Sequence, residues 1–324
     1  MLPEELDLRI RAFQESRVLL TAIELDLFEA LGPGAAAADV ARTLGTDPRA
    51  TEMLLNALGA LGLVEKRGGV FLNTPETAQH FTRRSQDDVR LAMMHTVHLW
   101  ETWSTLTECV RKGTTLGRRS AGSDDWTGAF IAAMHANASR RATAVVKAAD
   151  AANIRRMLDV GGGSGAYSIA FAKANPALRA EILDVGEVVP IARRHISEAG
   201  LGDRVTVREG DLHTSDFGTG FDLVLISAIC HMLSEKENRE LVAKTHAALG
   251  AGGRIVISDF ILDSDRAGPR MAAMFALNML VGTRHGNTYT EEEYTAWMRE
   301  AGFGSIRRVS LPGPAHLMIG ARPA

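Results

Sequence analysis

Between residues 6 and 31 the apolar side chains Ile10, Phe13, Val18, Leu19, Ala22, Ile23, Leu27 and Phe28 recur every three or four positions. That is the period of a helix with one buried face, and Gly32-Pro-Gly34 ends it. The same period returns over residues 37–44 and 48–61, the latter opened by Asp47 as a capping side chain and Pro48 in the first turn. Residues 62–72 then change rhythm and read as two short strands turning at Gly68-Gly69. Three helices and a hairpin predict a winged helix over residues 1–84. Residues 85–154 are helical again and enter without a glycine-rich linker, which predicts a packed connector and not a tether. From residue 155 to the end, apolar strand-length runs alternate with helical patterns, the signature of a doubly wound α/β domain with a parallel sheet. The last two runs, 305–311 and 317–321, flank Gly313-Pro314 and predict an antiparallel hairpin at the sheet edge.

Composition narrows the class of protein but adds no chemistry. At 46% hydrophobic and 23% charged over 324 residues, the chain has the make-up of a soluble globular protein. No apolar run reaches the roughly 18 residues of a membrane span, and the acidic start Met-Leu-Pro-Glu-Glu-Leu-Asp is unlike a signal peptide; a cytoplasmic protein with no membrane partner is expected. Cys109 and Cys230 are too few for a disulfide framework and read as reduced, buried thiols. A winged helix raises the question of DNA. Through His80 the chain carries seven Lys/Arg against twelve Asp/Glu, about −5, which phosphates would repel. The helix over 48–61 is apolar on more than one face, as suits packing on a partner chain, so dimerisation is expected and nucleic acid is not.

Candidate chemistry sits in Leu158-Asp-Val-Gly-Gly-Gly-Ser-Gly165. A strand leads into glycines that tolerate positive φ and let a ligand approach the backbone, and the helical run that follows offers free N–H groups at its start. Asp184 closes a second apolar strand about 20 residues on, where a ribose would be held. Asp211 follows a third strand at 205–207. Three acids, Asp159, Asp184 and Asp211, after three successive strands point to a nucleoside-bearing ligand. The spacing Asp-x-Gly-x-Gly-x-Gly differs from the dinucleotide fingerprint. His95, His98 and His135 lack an accompanying carboxylate or cysteine cluster, so no metal is expected.

With these residues in view, the chain resembles class I S-adenosylmethionine-dependent methyltransferases. More closely, it resembles O-methyltransferases of the caffeic-acid and acetylserotonin (hydroxyindole) type, including bacterial members acting on small molecules. Ala22-Ile-Glu-Leu-Asp-Leu-Phe28 and Leu58-Gly-Ala-Leu-Gly-Leu-Val64 are similar to that family's dimerisation domain. Leu183-Asp184, Gly210-Asp211, Ile229-Cys-His231 and Gly252-Gly253 follow its motif series in order. The resemblance implies S-adenosylmethionine as methyl donor and S-adenosylhomocysteine as product. It implies that Gly161, Gly163 and Gly165 cradle the methionine and ribose, that Asp184 binds ribose hydroxyls, and that Asp211 with Leu212 frames adenine. Asp159, Val185 and Ser227 join that cofactor set. His231 matches the family's general base and Asp259 the acid that orients it, while Phe130, Met134, Asn278 and Met279 fall where the acceptor is held. A homodimer through the N-terminal domain is implied as well.

Two positions depart from the pattern: Met232-Leu233 stand where Asp-Trp is common, and Thr288 replaces a second orienting carboxylate. A free imidazole titrates near ~6.5 and a phenol near ~10, a gap of about 5 kcal/mol that a carboxylate partner and a nearby sulfonium help to close. The expected reaction is methyl transfer to a hydroxyl, phenolic in the first place, of a small aromatic or apolar metabolite, with S- or C-methylation on the same scaffold as the alternative. A non-catalytic regulator that binds the cofactor is the remaining alternative.

Overall fold

The computed structural model describes residues 2–117 and 124–324, and its contacts divide the chain into two compact units. One unit comprises the chain up to Trp100 together with Asp124–Ala133; the other holds the segment from Glu101 and Met134–Ala324. The expected connector at 85–154 is thus shared between them.

In the N-terminal unit the helices Ala37–Leu44 and Pro48–Ala60 form where the periodicity placed them. Asp47 accepts a hydrogen bond from the Ala50 N–H at 2.8 Å, and Pro48 fills the first turn, where a missing N–H costs nothing. The hairpin Val64–Arg67 and Val70–Asn73 turns at the two glycines and gains a third strand, Ala35–Ala36. The long first helix is in fact three: Glu4–Arg11, Phe13–Glu24 and Leu27–Leu31. Asp26, at φ +59°, makes the second break, and its carboxylate is taken by Arg83 and Arg90. Leu27, Phe28, Leu31, Val40, Leu55, Leu58 and Phe71 close the core. The helix Glu4–Arg11 buries none of its residues.

The second unit is built on seven strands: β1 (Arg156–Val160), β2 (Arg179–Asp184), β3 (Val205–Glu209), β4 (Phe221–Ser227), β5 (Leu249–Asp259), β6 (Gly304–Val309) and β7 (His316–Ala321). Their order in the sheet is β6-β7-β5-β4-β1-β2-β3. The five strands β1 to β5 pair in parallel, as crossovers through helices require. β7 inserts antiparallel between β5 and β6, so the last two strands form the expected edge hairpin. Central strands of such a sheet are covered on both faces, and Met157, Leu158, Val160, Leu223, Val224, Leu225 and Ile226 are all fully buried. Both cysteines are free and buried. The strand order reverses between β1 and β4, and there the carboxyl ends of parallel strands open a crevice where ligands bind in α/β folds.

Candidate active site

The glycine turn begins where β1 ends. Gly161, Gly163 and Gly165 adopt φ of +65°, +58° and +78°. A β-carbon at 161 would lie 2.4 Å from Ile229 Cδ1, and one at 165 would lie 2.8 Å from Ile182 Cδ1. The turn is therefore pressed from behind so closely that only glycine fits, and the helix Ala166–Ala174 starts directly after it.

Asp184 closes β2 and fixes the turn from the side. Its carboxylate accepts the Gly163 N–H at 2.7 Å and the Val185 N–H at 2.8 Å. Burial raises its carboxyl above the ordinary range, and these two N–H groups pull the other way. Val185 beside it is 47% exposed, an apolar face open at the strand end. Asp211 follows β3; one of its oxygens accepts the N–H groups of His213 and Thr214 at 2.7 and 3.3 Å. The Leu212 carbonyl next to it accepts from Lys244 Nζ at 2.9 Å. Ser227 ends β4 and is half-buried.

Asp159 is placed differently from the other two acids. It lies inside β1 and not at its end, is completely buried, and accepts a 2.7 Å hydrogen bond from Ser168 Oγ. Desolvation pushes its carboxyl up to about 7. It supports the turn from within the core.

His231 sits on a short 3-10 turn after β4, reached through Ala228 at φ +57°, a conformation a non-glycine residue rarely adopts. The imidazole is 6% exposed, and its Nδ1 lies 2.6 Å from Asp259 Oδ1 at the end of β5. The same carboxylate accepts the backbone N–H of His231 at 3.2 Å and of Phe260 at 2.8 Å. An acceptor-only carboxylate at Nδ1 places the ring proton there and leaves the Nε2 lone pair available. The His231 carbonyl is held in turn by the Asn287 N–H at 2.9 Å. Thr288 is fully buried and donates to the Ala272 carbonyl at 3.1 Å, so it ties down the helix Arg270–Gly282.

Two aromatic rings near His231 carried no signal in the sequence reading. Phe275 meets His231 edge-on with ring centres 4.8 Å apart, and Phe260 stacks on Phe275 at 4.0 Å. Their clue was helical spacing, since Phe275 lies one turn before Asn278 and Met279. Asn278 is fixed by Trp103, whose Nε1 donates to its Oδ1 at 2.9 Å, and Met279 is buried. Met134 belongs to the same unit and is half-buried. Phe130 groups with the N-terminal unit, stacked on Trp126 at 5.3 Å with His95 against its edge. Among the described residues no three His, Cys, Asp or Glu side chains gather as a metal site.

A glycine turn at the end of the first parallel strand stands beside a buried His–Asp pair, and comparison with known proteins gives the family of this fold. Residues 103–304 match the O-methyltransferase domain model, and residues 9–83 match the O-methyltransferase dimerisation domain. The chain belongs to the S-adenosylmethionine-dependent O-methyltransferase family. It is 33% identical to the 3-hydroxy-5-methyl-1-naphthoate 3-O-methyltransferase of Streptomyces sahachiroi, over 93% of this chain and 89% of that one. It is 30% identical to the L-tyrosine C(3)-methyltransferase of Streptomyces lavendulae, over 91% of this chain and 86% of that protein. Among solved structures, PigF with SAH, from a Serratia species, superposes with a TM-score of 0.91 at 26% identity, covering 99% of this chain and 100% of that one. Family membership sets aside the reading as a non-catalytic regulator.

Proposed function

We propose that the chain moves the methyl group of S-adenosylmethionine to a phenolic hydroxyl of a small aromatic metabolite, with His231 as general base and Asp259 as the carboxylate that orients it. The observation that carries this is the buried 2.6 Å contact between His231 Nδ1 and Asp259 at the strand ends beside the glycine turn. The residues fit such a cofactor: Gly161 and Gly165 combine positive φ with crowding at the β-carbon position, and Asp184 stands at the strand end with Val185 exposed beside it. Gly161, Gly163 and Gly165 lie along its methionine and ribose, Asp184 takes ribose hydroxyls, and Val185, Asp211, Leu212 and Ser227 enclose the adenine end. Asp159 serves the turn and not the ligand, because its side chain has no exposed atom. Bound there, S-adenosylmethionine supplies an electrophilic methyl on a sulfonium.

The acceptor side rests on Phe275 and Phe260, which offer a planar apolar surface next to the base, and on Met134, Asn278 and Met279. A naphthoate methyltransferase among the relatives favours a fused or substituted phenol. Charge is neutralised as a phenolate meets a sulfonium, so an apolar, water-poor pocket favours the reaction, and His231 need only remove one proton. Replacing His231 by Ala is expected to lower turnover about 10²- to 10⁴-fold at saturating cofactor, with affinity for S-adenosylhomocysteine unchanged. Near-normal turnover would remove the base from this scheme.

A second reading is C-methylation ortho to the same phenol, favoured by the tyrosine C(3)-methyltransferase relative. Both reactions begin with the same deprotonation. Mass and NMR analysis of the product separates them, since a C-methylated phenol keeps its free hydroxyl. The N-terminal unit is assigned to homodimer formation and the protein to the cytoplasm. The first rests on the dimerisation-domain match and the bare apolar face of Glu4–Arg11. For the second, no described helix is long and apolar enough to cross a membrane.

A further inference from the structure

Against the glycine turn lies a pair of imidazoles that the reaction above does not use. His135, on the helix Asp124–Ala148, places Nδ1 2.8 Å from the hydroxyl of Ser164, which is 3% exposed and sits between Gly163 and Gly165. Nε2 of the same ring lies 3.4 Å from Ser139 Oγ, one helical turn on. His195, on the helix Val189–Glu198, stacks on His135 with ring centres 4.2 Å apart and planes 15° from parallel. One hydrogen bond thus reaches into the turn from a side chain on another element, and stacking fixes the ring that makes it.

The pair is built to stay neutral. Burial holds His135 below the ordinary imidazole range, with His195 adding to the effect and Glu198 opposing it. Burial lowers His195 too, with Arg194 adding and Glu198, 3.7 Å from its Nδ1, opposing. A neutral His135 can accept from the Ser164 hydroxyl or donate to it, whichever tautomer is present. A protonated His135 has no lone pair at Nδ1 to accept the Ser164 proton, so that hydroxyl must turn away from its bond, and the ring sets a positive charge against a second imidazole at stacking distance.

We propose that His135 is a positioning residue for the glycine-rich turn: through Ser164 it holds the cofactor-binding backbone in place, and it does so only while the His135–His195 stack is uncharged. The proposal rests on the reading of that turn as the cofactor site. Binding then favours the deprotonated stack, so affinity is level above the ordinary imidazole range and falls as the pH drops through the lowered values.

The test is calorimetry of the full chain with S-adenosylhomocysteine from pH 5 to pH 8. For the wild type, Kd is expected to rise with falling pH by up to about tenfold per unit for one coupled proton. His135→Asn keeps a hydrogen-bonding group at the Nδ1 position but cannot titrate; it should match wild-type Kd at pH 8 and lose the pH dependence. His135→Ala should raise Kd about five- to tenfold at pH 8 and lose it too. A His135→Asn curve parallel to the wild type, or wild-type affinity for His135→Ala at pH 8, overturns the proposal. If His135→Ala fails to fold, His135→Asn alone decides. Absence of binding by the wild type at pH 8 overturns the cofactor-site reading itself, a result distinct from either variant's.

Discussion

Asp159 and Asp184 stand on adjacent strands and are used in opposite ways. Asp184 is kept at a strand end by two backbone N–H groups, whereas Asp159 is sealed in the core with one hydroxyl for company. With its carboxyl pushed up to about 7, Asp159 stabilises the fold in its neutral form. That contribution is complete below about pH 4 and is lost as the pH rises through 7, on the order of 4 kcal/mol in all. Asp159→Asn keeps an acceptor for Ser168 and removes the titration. Urea unfolding should therefore show the variant gaining stability relative to the wild type between about pH 4 and pH 7; parallel profiles would show that Asp159 does not titrate there. The sequence told where the acids fall but not all of what they do. The sequence reading counts Asp159 with Asp184 and Asp211 as a ligand-binding acid; its burial inside a central strand, covered on both faces, gives it a structural part instead. The His231–Asp259 partnership was visible only through the resemblance, because 28 residues separate the two.

Elements were legible where the cause of their boundaries is local. The helix over 235–248 begins at Ser234, whose hydroxyl accepts the Glu237 N–H while Glu237 answers at the Ser234 N–H with a 2.7 Å bond. Such a capping box is worth about 1 kcal/mol, so Ser234→Ala should lower unfolding free energy by about that amount. Chemical denaturation measures it, and an unchanged midpoint would show that the cap carries no weight. The N-terminal helices show the opposite case. Their apolar period runs unbroken through Asp26, and the break there is stabilised by Arg83 and Arg90, more than 50 positions away. Asn278 was picked out from resemblance, yet its orienting partner Trp103 lies 175 residues off and had no mark of its own.

At the level of the whole molecule, the alternation of strands and helices was enough to name the fold class, and the N-terminal charge balance was enough to argue against DNA. What selects the acceptor was not readable, since the two rings set against His231, Phe260 and Phe275, follow it by 29 and 44 positions and stand on different elements. The N-terminal unit leaves Leu6, Leu8, Ile10 and Phe13 more than 40% exposed, and Leu6 and Ile10, one turn apart, share a side of the helix Glu4–Arg11. Ultracentrifugation is expected to find a dimer, and Leu6→Lys combined with Ile10→Asp should shift it toward monomer without unfolding the methyltransferase unit. A monomeric wild type would refute the assignment. Ile229, finally, does two jobs: its tip fills the space behind Gly161, and two residues later the chain delivers the base. On the proposed reading, floor of the donor pocket and mount of the proton acceptor are one piece, so neither can wander without disturbing the other. New acceptors would be accommodated by changes along Arg270–Gly282, leaving the hinge from Ser227 to His231 as the gauge that keeps donor and base in register.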